Sequence, residues 1–559
     1  MKHRKILSLL LFLSLSFAVL ASNDKGIELY KAGMYGATKD FFMQQTNQTT
    51  EEQVMAAYYL GLIYSNEQNI QAAATEFQKA VDIAPKSPYG YIGKGRLELK
   101  NDVQSAEKLL KQAEGLGKKN VDVWVQIADA YCASDMTAKA QSILEKAKTV
   151  DSKYPDIYLL EGDMILKQNV DSETIGKAIN KFEDADYFSQ NTSKLALVKL
   201  AKLYNLINGQ NLALEKVNMA LALDSNYLPA YIALGDIKYA QSWYKEAIAA
   251  YEKVIAECKV PVEVYENYAP ALYFDKQYQK SLDEIEKVLK QNPDDATLNR
   301  LEAYNLYELE KYDEGLQKME KFLSTIPQDK QIYLDFITLG RFCAKQKKYD
   351  TAIENFNKAI DLDSNKADAY KELALAYAGL KKYEESITYF EKYFTLTQNI
   401  LPSELNAFGE ICTNAAALLY SNNRTDVKAL EVNLPLFNSY IEKGAKAYTN
   451  FILLAPDLQI GYFGRAYIYS LVDAYQYELT GKHSGIARAY YDEALDVMLK
   501  NNNDGRFNRN IIDCYLYYAG YYIKNDNTKA AVDCYRKILA IDPENATAKE
   551  TLKQLKVKI

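Results

Sequence analysis

A chain of 559 residues with 48% hydrophobic and 25% charged side chains is foldable but too long for one compact core. This composition excludes a disordered polymer and leaves several domains or one elongated array. The balance of 67 basic to 74 acidic residues excludes any general attraction to nucleic acid or anionic lipid surfaces. Only 12 prolines and 24 glycines interrupt the chain, which points toward helix, and tyrosine is over-used, at 47 against 19 phenylalanines.

The chain begins MKHRKILSLLLFLSLSFAVLASNDKG. Lys2, Arg4 and Lys5 precede an apolar run from Ile6 to Leu20 and small Ala21, the layout of a secretory signal cut after Val19-Leu20-Ala21. The apolar run is short of the ~20 residues that span a bilayer. No cysteine precedes Cys132, which argues against lipid anchoring. Without residues 1–21 the balance is 64 basic to 74 acidic, a net charge of −10. Residues 22–52 are expected to form an N-terminal helical segment or partial repeat, with GMYGATKDFF opening a second helix.

From residue 53 onward a small residue recurs at Ala73, Ala106, Ala140, Ala178, Ala213, Ala247, Ser281, Gly315, Ala352 and Ser386, at steps of 33 to 38 and most often 34. Four positions after most of these stands a bulky apolar residue, as at Phe77, Phe182, Tyr251, Phe356 and Phe390. Three further on stands another apolar residue, often alanine, as at Ala80, Ala147, Ala185 and Ala359. Steps of four and three place them on one helical stripe. Upstream of each such helix runs a second pattern, as in Leu60-Gly61-x-x-Tyr64 and Tyr370-x-x-Leu373-Ala374-x-x-Tyr377. Proline often closes the unit, at Pro85, Pro293, Pro327 and Pro543.

W-x-x-L-G-x-x-Y, then A-x-x-x-F-x-x-A, then P resembles the tetratricopeptide repeat over most of residues 53–398 and again at 512–545. The resemblance implies an all-α fold, a right-handed α-solenoid superhelix of about 12–13 helix-turn-helix repeats. Each repeat is a helix A followed by a helix B. The expected organisation is a signal peptide at 1–21, the N-terminal segment at 22–52 and a regular array at 53–398. Divergent repeats with insertions follow at 399–505, then a final repeat and capping helix at 506–559. The unit at 155–188 is expected to carry about four extra residues in its turn, and the stretches near 399–440 and 471–485 to be longer helices or insertions, insertions mapping to loops on one face. Tyr349, with Tyr244, Tyr278, Tyr312 and Tyr383, falls at the seventeenth position of its unit, the address of a stacking joint.

Little in the chain points to catalysis. After residue 21 the single histidine is His483, so no His-based acid, base or metal cluster can form. Gly481-x-x-x-Gly485 lacks the G-K-[ST] ending of a phosphate loop and reads as a turn. The six cysteines lie far apart and read as buried apolar side chains, with Cys514 and Cys534 close enough in sequence to leave a disulfide open. No catalytic, metal or cofactor residues are expected.

In the tetratricopeptide family the inner groove is lined by helix A at its second, fifth, ninth and twelfth positions. Carried onto this chain, the twelfth holds Tyr239, Tyr273 and Tyr307, and nearby lining positions hold Asp236, Arg300, Tyr304, Arg341 and Lys371. Aromatic residues with a few cations suit an extended peptide or a helix of a partner protein. The family's clamp for chaperone C-termini needs asparagines that are missing here. The function implied is a non-enzymatic interaction scaffold of the bacterial cell envelope, exported to the periplasm or associated with an outer-membrane complex. The alternatives are a glycan- or peptidoglycan-associated protein stacking sugars on the same tyrosines, and an enzyme with a site in 399–505. Because the small residue opening helix B sets the A–B approach, Ala247→Leu is expected to cost about 1–3 kcal/mol by overpacking, read as a lowered melting temperature.

Overall fold

The structure, a computed structural model, describes residues 22–45, 48–502 and 504–557. The expected signal segment and its cut at Ala21 lie outside them. Among the described residues the regular elements are α-helices with two short 3-10 turns and no strand. The fold is an all-α solenoid of helix pairs. It packs as two compact units divided between Leu309 and Glu310. Repeat regularity alone places a boundary at 398/399 instead.

The first unit opens with α1 (Ser22–Lys31) and α2 (Tyr35–Gln44). Seven pairs follow, helix A before helix B: α3 (Thr50–Asn66) with α4 (Ile70–Ile83), α5 (Tyr89–Glu98) with α6 (Val103–Leu116), and α7 (Val121–Ala133) with α8 (Thr137–Val150). Next come α9 (Pro155–Gln168) with α10 (Ser172–Phe188), α11 (Lys194–Leu206) with α12 (Gln210–Leu223), α13 (Leu228–Ala240) with α14 (Tyr244–Ile255), and α15 (Tyr265–Phe274) with α16 (Tyr278–Leu289). The unit ends on α17 (Ala296–Glu308).

The second unit begins with α18 (Tyr312–Thr325). Its pairs are α19 (Tyr333–Lys345) with α20 (Tyr349–Leu362), α21 (Ala367–Gly379) with α22 (Tyr383–Leu396), α23 (Pro402–Asn423) with α24 (Val427–Leu454), α25 (Gln459–Thr480) with α26 (Arg488–Lys500), and α27 (Asn508–Lys524) with α28 (Thr528–Ile541). Helix α29 (Ala546–Gln554) closes it.

The repeat rule becomes a contact. In several repeats the helix B ring enters the space above a helix A glycine, and in others that helix A position is alanine, as at Ala128 and Ala374. A β-carbon at Gly235 would stand 2.5 Å from the Tyr251 ring, and Gly61, Gly162 and Gly340 receive Phe77, Phe182 and Phe356 in the same way. Ala73, Ala178, Ala247 and Ala352, the small residues one turn earlier, are fully buried. Where that residue is serine, its hydroxyl donates to helix A: Ser281 Oγ to the Ala269 carbonyl at 2.9 Å and Ser386 Oγ to the Ala374 carbonyl at 2.7 Å. The buried hydroxyls are thereby satisfied, as burial requires.

Helices A and B join through one residue in the left-handed region, as at Ser242, Lys276, Lys347 and Lys381. The next N–H reaches back to the carbonyl five residues earlier, Trp243 to Lys238 and Lys348 to Cys343, both at 2.9 Å. This closure satisfies carbonyls that the helix end would orphan.

One expectation about insertions changes. The extra residues of the 155–188 unit extend α10 to 17 residues, while the connection before it keeps three. In the divergent region, of the two readings, longer helices are what forms, with 22 residues in α23, 28 in α24 and 22 in α25. These stretches are rich in helix formers, and α24 runs through Pro435, so the added length continues the helical stripe. All six cysteines are unbonded, Cys514 and Cys534 included, and five are buried.

Tyr349 is half-buried, and a β-carbon at Gly379 on the next repeat would stand 2.5 Å from its ring. The equivalent Tyr244 stacks on Phe274 at 5.0 Å, also thirty positions on. These rings join neighbouring repeats. Tyr349→Ala is expected to destabilise the second unit by about 1–2 kcal/mol, below the cost of a fully buried ring, read as a lower urea midpoint.

Candidate functional site

Of the eight residues expected at a groove, six belong to the first unit. Asp236 accepts hydrogen bonds from Tyr251 Oη at 2.7 Å and Asn267 Nδ2 at 3.0 Å. Burial pushes its carboxyl up, and those two bonds with the nearby Lys202 act against the shift. Tyr239 leans on Tyr244 at 5.9 Å and on Phe274 at 6.5 Å. Tyr273 contacts Tyr278 at 5.4 Å and comes within 6.5 Å of Tyr304. Arg300, Tyr304 and Tyr307 follow one another at steps of four and three along α17, so they share a face, and all three are half-buried. Tyr239 and Tyr273 thus already engage neighbouring rings.

Arg341 and Lys371 stand in the second unit, each in a pair with the following repeat. Arg341 Nε donates to Glu372 Oε1 at 2.7 Å, and Lys371 Nζ to Glu404 Oε1 at 2.9 Å. Lys371 also sits 5.2 Å above the Tyr393 ring. Burial alone would raise the Glu404 carboxyl. Bonds from Tyr393, the Leu401 N–H and Lys371 outweigh it and hold that carboxyl below the usual range.

The largest arrangement that sequence reasoning missed is on the helix A face of the first unit. Helices α1 and α2, expected as a partial repeat, fold onto that face. Tyr30 meets the Tyr59 ring edge-on at 5.0 Å, and Phe42 stacks on the same ring at 6.0 Å. Lys39 lies 4.3 Å above Tyr64, Glu28 accepts from Lys194 at 2.9 Å, and Lys31 donates to Asp156 at 2.5 Å. Leu29, Met34 and Ala37 enter one apolar cluster with Leu228, Ile232, Val260, Val264 and Tyr268. The contacts run from α3 to α15.

Four aspartates line this face. Asp122 and Asp129 on α7 recur thirty-four residues later as Asp156 and Asp163 on α9. Arg96 pairs with Asp129 at 2.5 Å and Lys199 with Asp163 at 2.6 Å, so those two are balanced from within the repeats. Tyr89 Oη donates to Asp122 at 2.8 Å. Asp156 takes its cation from α1. Burial alone would lower the Lys31 pKa, but Asp156 and Asp122 raise it above the ordinary value. Tyr30, Lys31, Arg96, Asp129, Asp156 and Asp163 help line a cavity of about 230 Å³ beneath the segment. The seven-residue and thirty-four-residue spacings of the aspartates were the available signal.

In the 399–505 region the most heavily bonded carboxylate is Asp473. It is fully buried. It accepts from Ser484 Oγ at 2.6 Å, Ile486 N at 2.8 Å, Ala487 N at 3.0 Å and Tyr517 Oη at 2.6 Å. The carboxylate pins the 481–487 turn between α25, α26 and α27. His483 in that turn is surrounded by the Tyr477, Tyr517 and Tyr521 rings, and burial lowers its pKa. Among the described residues no group of three metal-ligating side chains gathers.

The sequence profile described as Tetratricopeptide repeat matches residues 56–87, 228–258, 367–400 and 512–545, and one described as TPR repeat matches 340–381. Over 265 residues the chain is 24% identical to BBSome complex member BBS4 of Bos taurus, a match covering 47% of this chain and 50% of that protein. The chain thus spans about half the length of this curated relative. Among solved structures it is similar to the C-terminal part of a TPR repeat-containing protein from Cytophaga hutchinsonii, at 23% identity and a TM-score of 0.41, covering 51% of this chain and 99% of that one. It is also similar to a tetratricopeptide repeat protein from Parabacteroides merdae, at 17% identity and a TM-score of 0.32, covering 46% and 99%.

Burial raises the Asp473 carboxyl, but the bonds from Ser484, Tyr517 and the Ala487 and Ile486 N–H groups outweigh it, so the net shift is downward. A lowered folded-state pKa contributes stability above the unfolded value near ~4, and that contribution is lost as pH falls through the folded value. Asp473→Asn is expected to cost about 2–4 kcal/mol at pH 7, and the gap from wild type to narrow below about pH 4, in urea titrations at both pH values.

Proposed function

We propose, from the premise that this chain is a tetratricopeptide-repeat protein, that it is an exported, non-enzymatic protein-interaction scaffold of the bacterial cell envelope. It takes a partner's helical or extended segment on the helix A faces of its repeats. The observation that carries this reading is the seating of α1 and α2 across helices from α3 to α15. A face that takes two helices, with aromatic rings and charges placed for them, has the chemistry of helix-in-groove recognition. The half-buried face of α17, with Arg300, Tyr304 and Tyr307, extends the same chemistry toward the end of the first unit. Export is supported by the basic, apolar, small-residue order of residues 2–21. Among the described residues no helix is long and apolar enough to cross a membrane. The acidic net charge favours protein partners over nucleic acid.

The test is affinity capture from a solubilised envelope fraction with tagged full-length protein, comparing wild type with Tyr273→Ala/Tyr307→Ala. Circular dichroism checks that helical content is kept. Loss of specific partners in the variant is expected. Identical partner sets with intact helicity would remove the assignment to this face, and recovery of the wild type only in the cytosol would remove the envelope setting.

A further inference from the structure

Residues 22–45 occupy the helix A face proposed for a partner, and the role inferred for them rests on that proposal. The ring-into-glycine contacts inside the pairs, such as Phe77 on Gly61, use no residue of this segment, while Leu29, Met34 and Ala37 join the apolar cluster of α13, α14 and α15 from outside those pairs. The segment needs the repeats. Helices α1 and α2 have ten residues each, below the ~12–15 at which an isolated helix is even marginal in water. They pack on each other through Gly26, whose missing side chain admits the Phe41 and Phe42 rings, and turn at Gly33 with φ of +79°.

The fit to the face is uneven. Leu29, Met34 and Phe42 are buried, yet the cavity of about 230 Å³ remains among Tyr30, Lys31, Arg96, Asp129 and Asp163. That space is partly open to solvent and lined mainly by polar and charged groups, so water has access to the side chains under the segment. The charge requirement is specific. Two of the four aspartates are balanced by Arg96 and Lys199 from the repeats, and Asp156 receives its cation only when Lys31 is in place. An occupant without that cation would leave a half-buried carboxylate unpaired, a costly arrangement.

We infer that residues 22–45 are a displaceable resident of the helix A face of the first unit. The partner segment this face takes is an amphipathic helix with a lysine beside an aromatic residue, set as Lys31 and Tyr30 are against Asp156 and Tyr59. Partner binding is therefore coupled to release of the resident, which lowers the apparent affinity of the closed chain.

The probe is a fluorescein-labelled synthetic peptide of residues 22–45, its binding to full-length protein read by anisotropy. Lys31→Glu places two carboxylates together and expels the resident, so this chain is expected to bind the peptide at least tenfold more tightly than wild type. A charge swap checks the lysine requirement: an Asp156→Lys chain is expected to bind the Lys31→Glu peptide and to reject the wild-type one. Should Lys31→Glu fail to fold, a protease site inserted after Gln45 gives the same readout in a chain that keeps every residue. Cleavage is then expected to let labelled peptide replace the resident.

The inference is overturned if folded Lys31→Glu chain takes no peptide, or if the cleaved chain holds its own segment without exchange over a day. It is also overturned if wild type forms a dimer that Lys31→Glu abolishes, because the face would then serve a second copy. These outcomes leave partner capture untouched, whereas normal peptide exchange with no partner captured from the envelope strikes the scaffold reading alone.

Discussion

The seating of one bulky helix B side chain over one small helix A residue is the contact on which the rest of the structure depends. With Phe77 over Gly61, Phe182 over Gly162, Tyr251 over Gly235 and Phe356 over Gly340, these four hairpins close at a separation that only a missing side chain permits, and others close on an alanine such as Ala128 or Ala374. A single helix pair cannot cover its remaining apolar surface, so pairs stack, and the stack is stabilised by nearest-neighbour interfaces. The half-buried tyrosines that open helix B, such as Tyr244 on Phe274 and Tyr349 over Gly379, are those interfaces. Tyrosine suits the address because its ring packs while its hydroxyl stays near water.

Once the small-residue seam faces helix B and the stacking rings face the next repeat, one stripe of helix A is left over. In the first unit that stripe is polar and charged on α7, α9 and α11, and more apolar on α13 and α15. The segment of residues 22–45 complements it, offering Glu28 and Lys31 to Lys194 and Asp156, and Leu29, Met34 and Ala37 to the apolar part. In the second unit the same stripe is crossed by pairs between neighbouring repeats, Arg341 with Glu372 and Lys371 with Glu404. Charges there are matched within the array. In the first unit Asp156 is matched from a segment outside it, and Lys194 is shared between Glu28 of that segment and Asp224 of the array.

The seam was legible in residues 73–386 because it depends on spacing alone: a small residue every 34 or so positions, a ring four later and an alanine three after that. Turn chemistry was less legible. The left-handed residues at the A–B connections include Gln68, Lys276, Glu310, Lys347 and Lys381, side chains that mark no turn, beside the turn-formers Asp135, Asn208, Ser242 and Asp526. The added length in 399–505 was visible as a break in period. That it would lengthen α23, α24 and α25 was decided by continuous helical stripes through residues with no consistent stop signal. For the candidate residues, positions were legible and environments were not. Tyr239 and Tyr273 stand on the helices expected of them, and the rings of Tyr244, Tyr278 and Phe274 that engage them arrive from other helices.

By itself the sequence determined the all-α repeat architecture, the residues at each seam, the acidic balance and the shortage of histidine, since all of these follow from residue type and local periodicity. Only the tertiary structure decided what covers the helix A stripe, that Asp156 receives its cation from Lys31, and that Asp473 holds the 481–487 turn through bonds from Ser484, two backbone N–H groups and Tyr517. Local periodicity reports which face a side chain is on. Which distant residue meets that face depends on how the stacked pairs turn relative to one another, a sum of small rotations that no single repeat encodes.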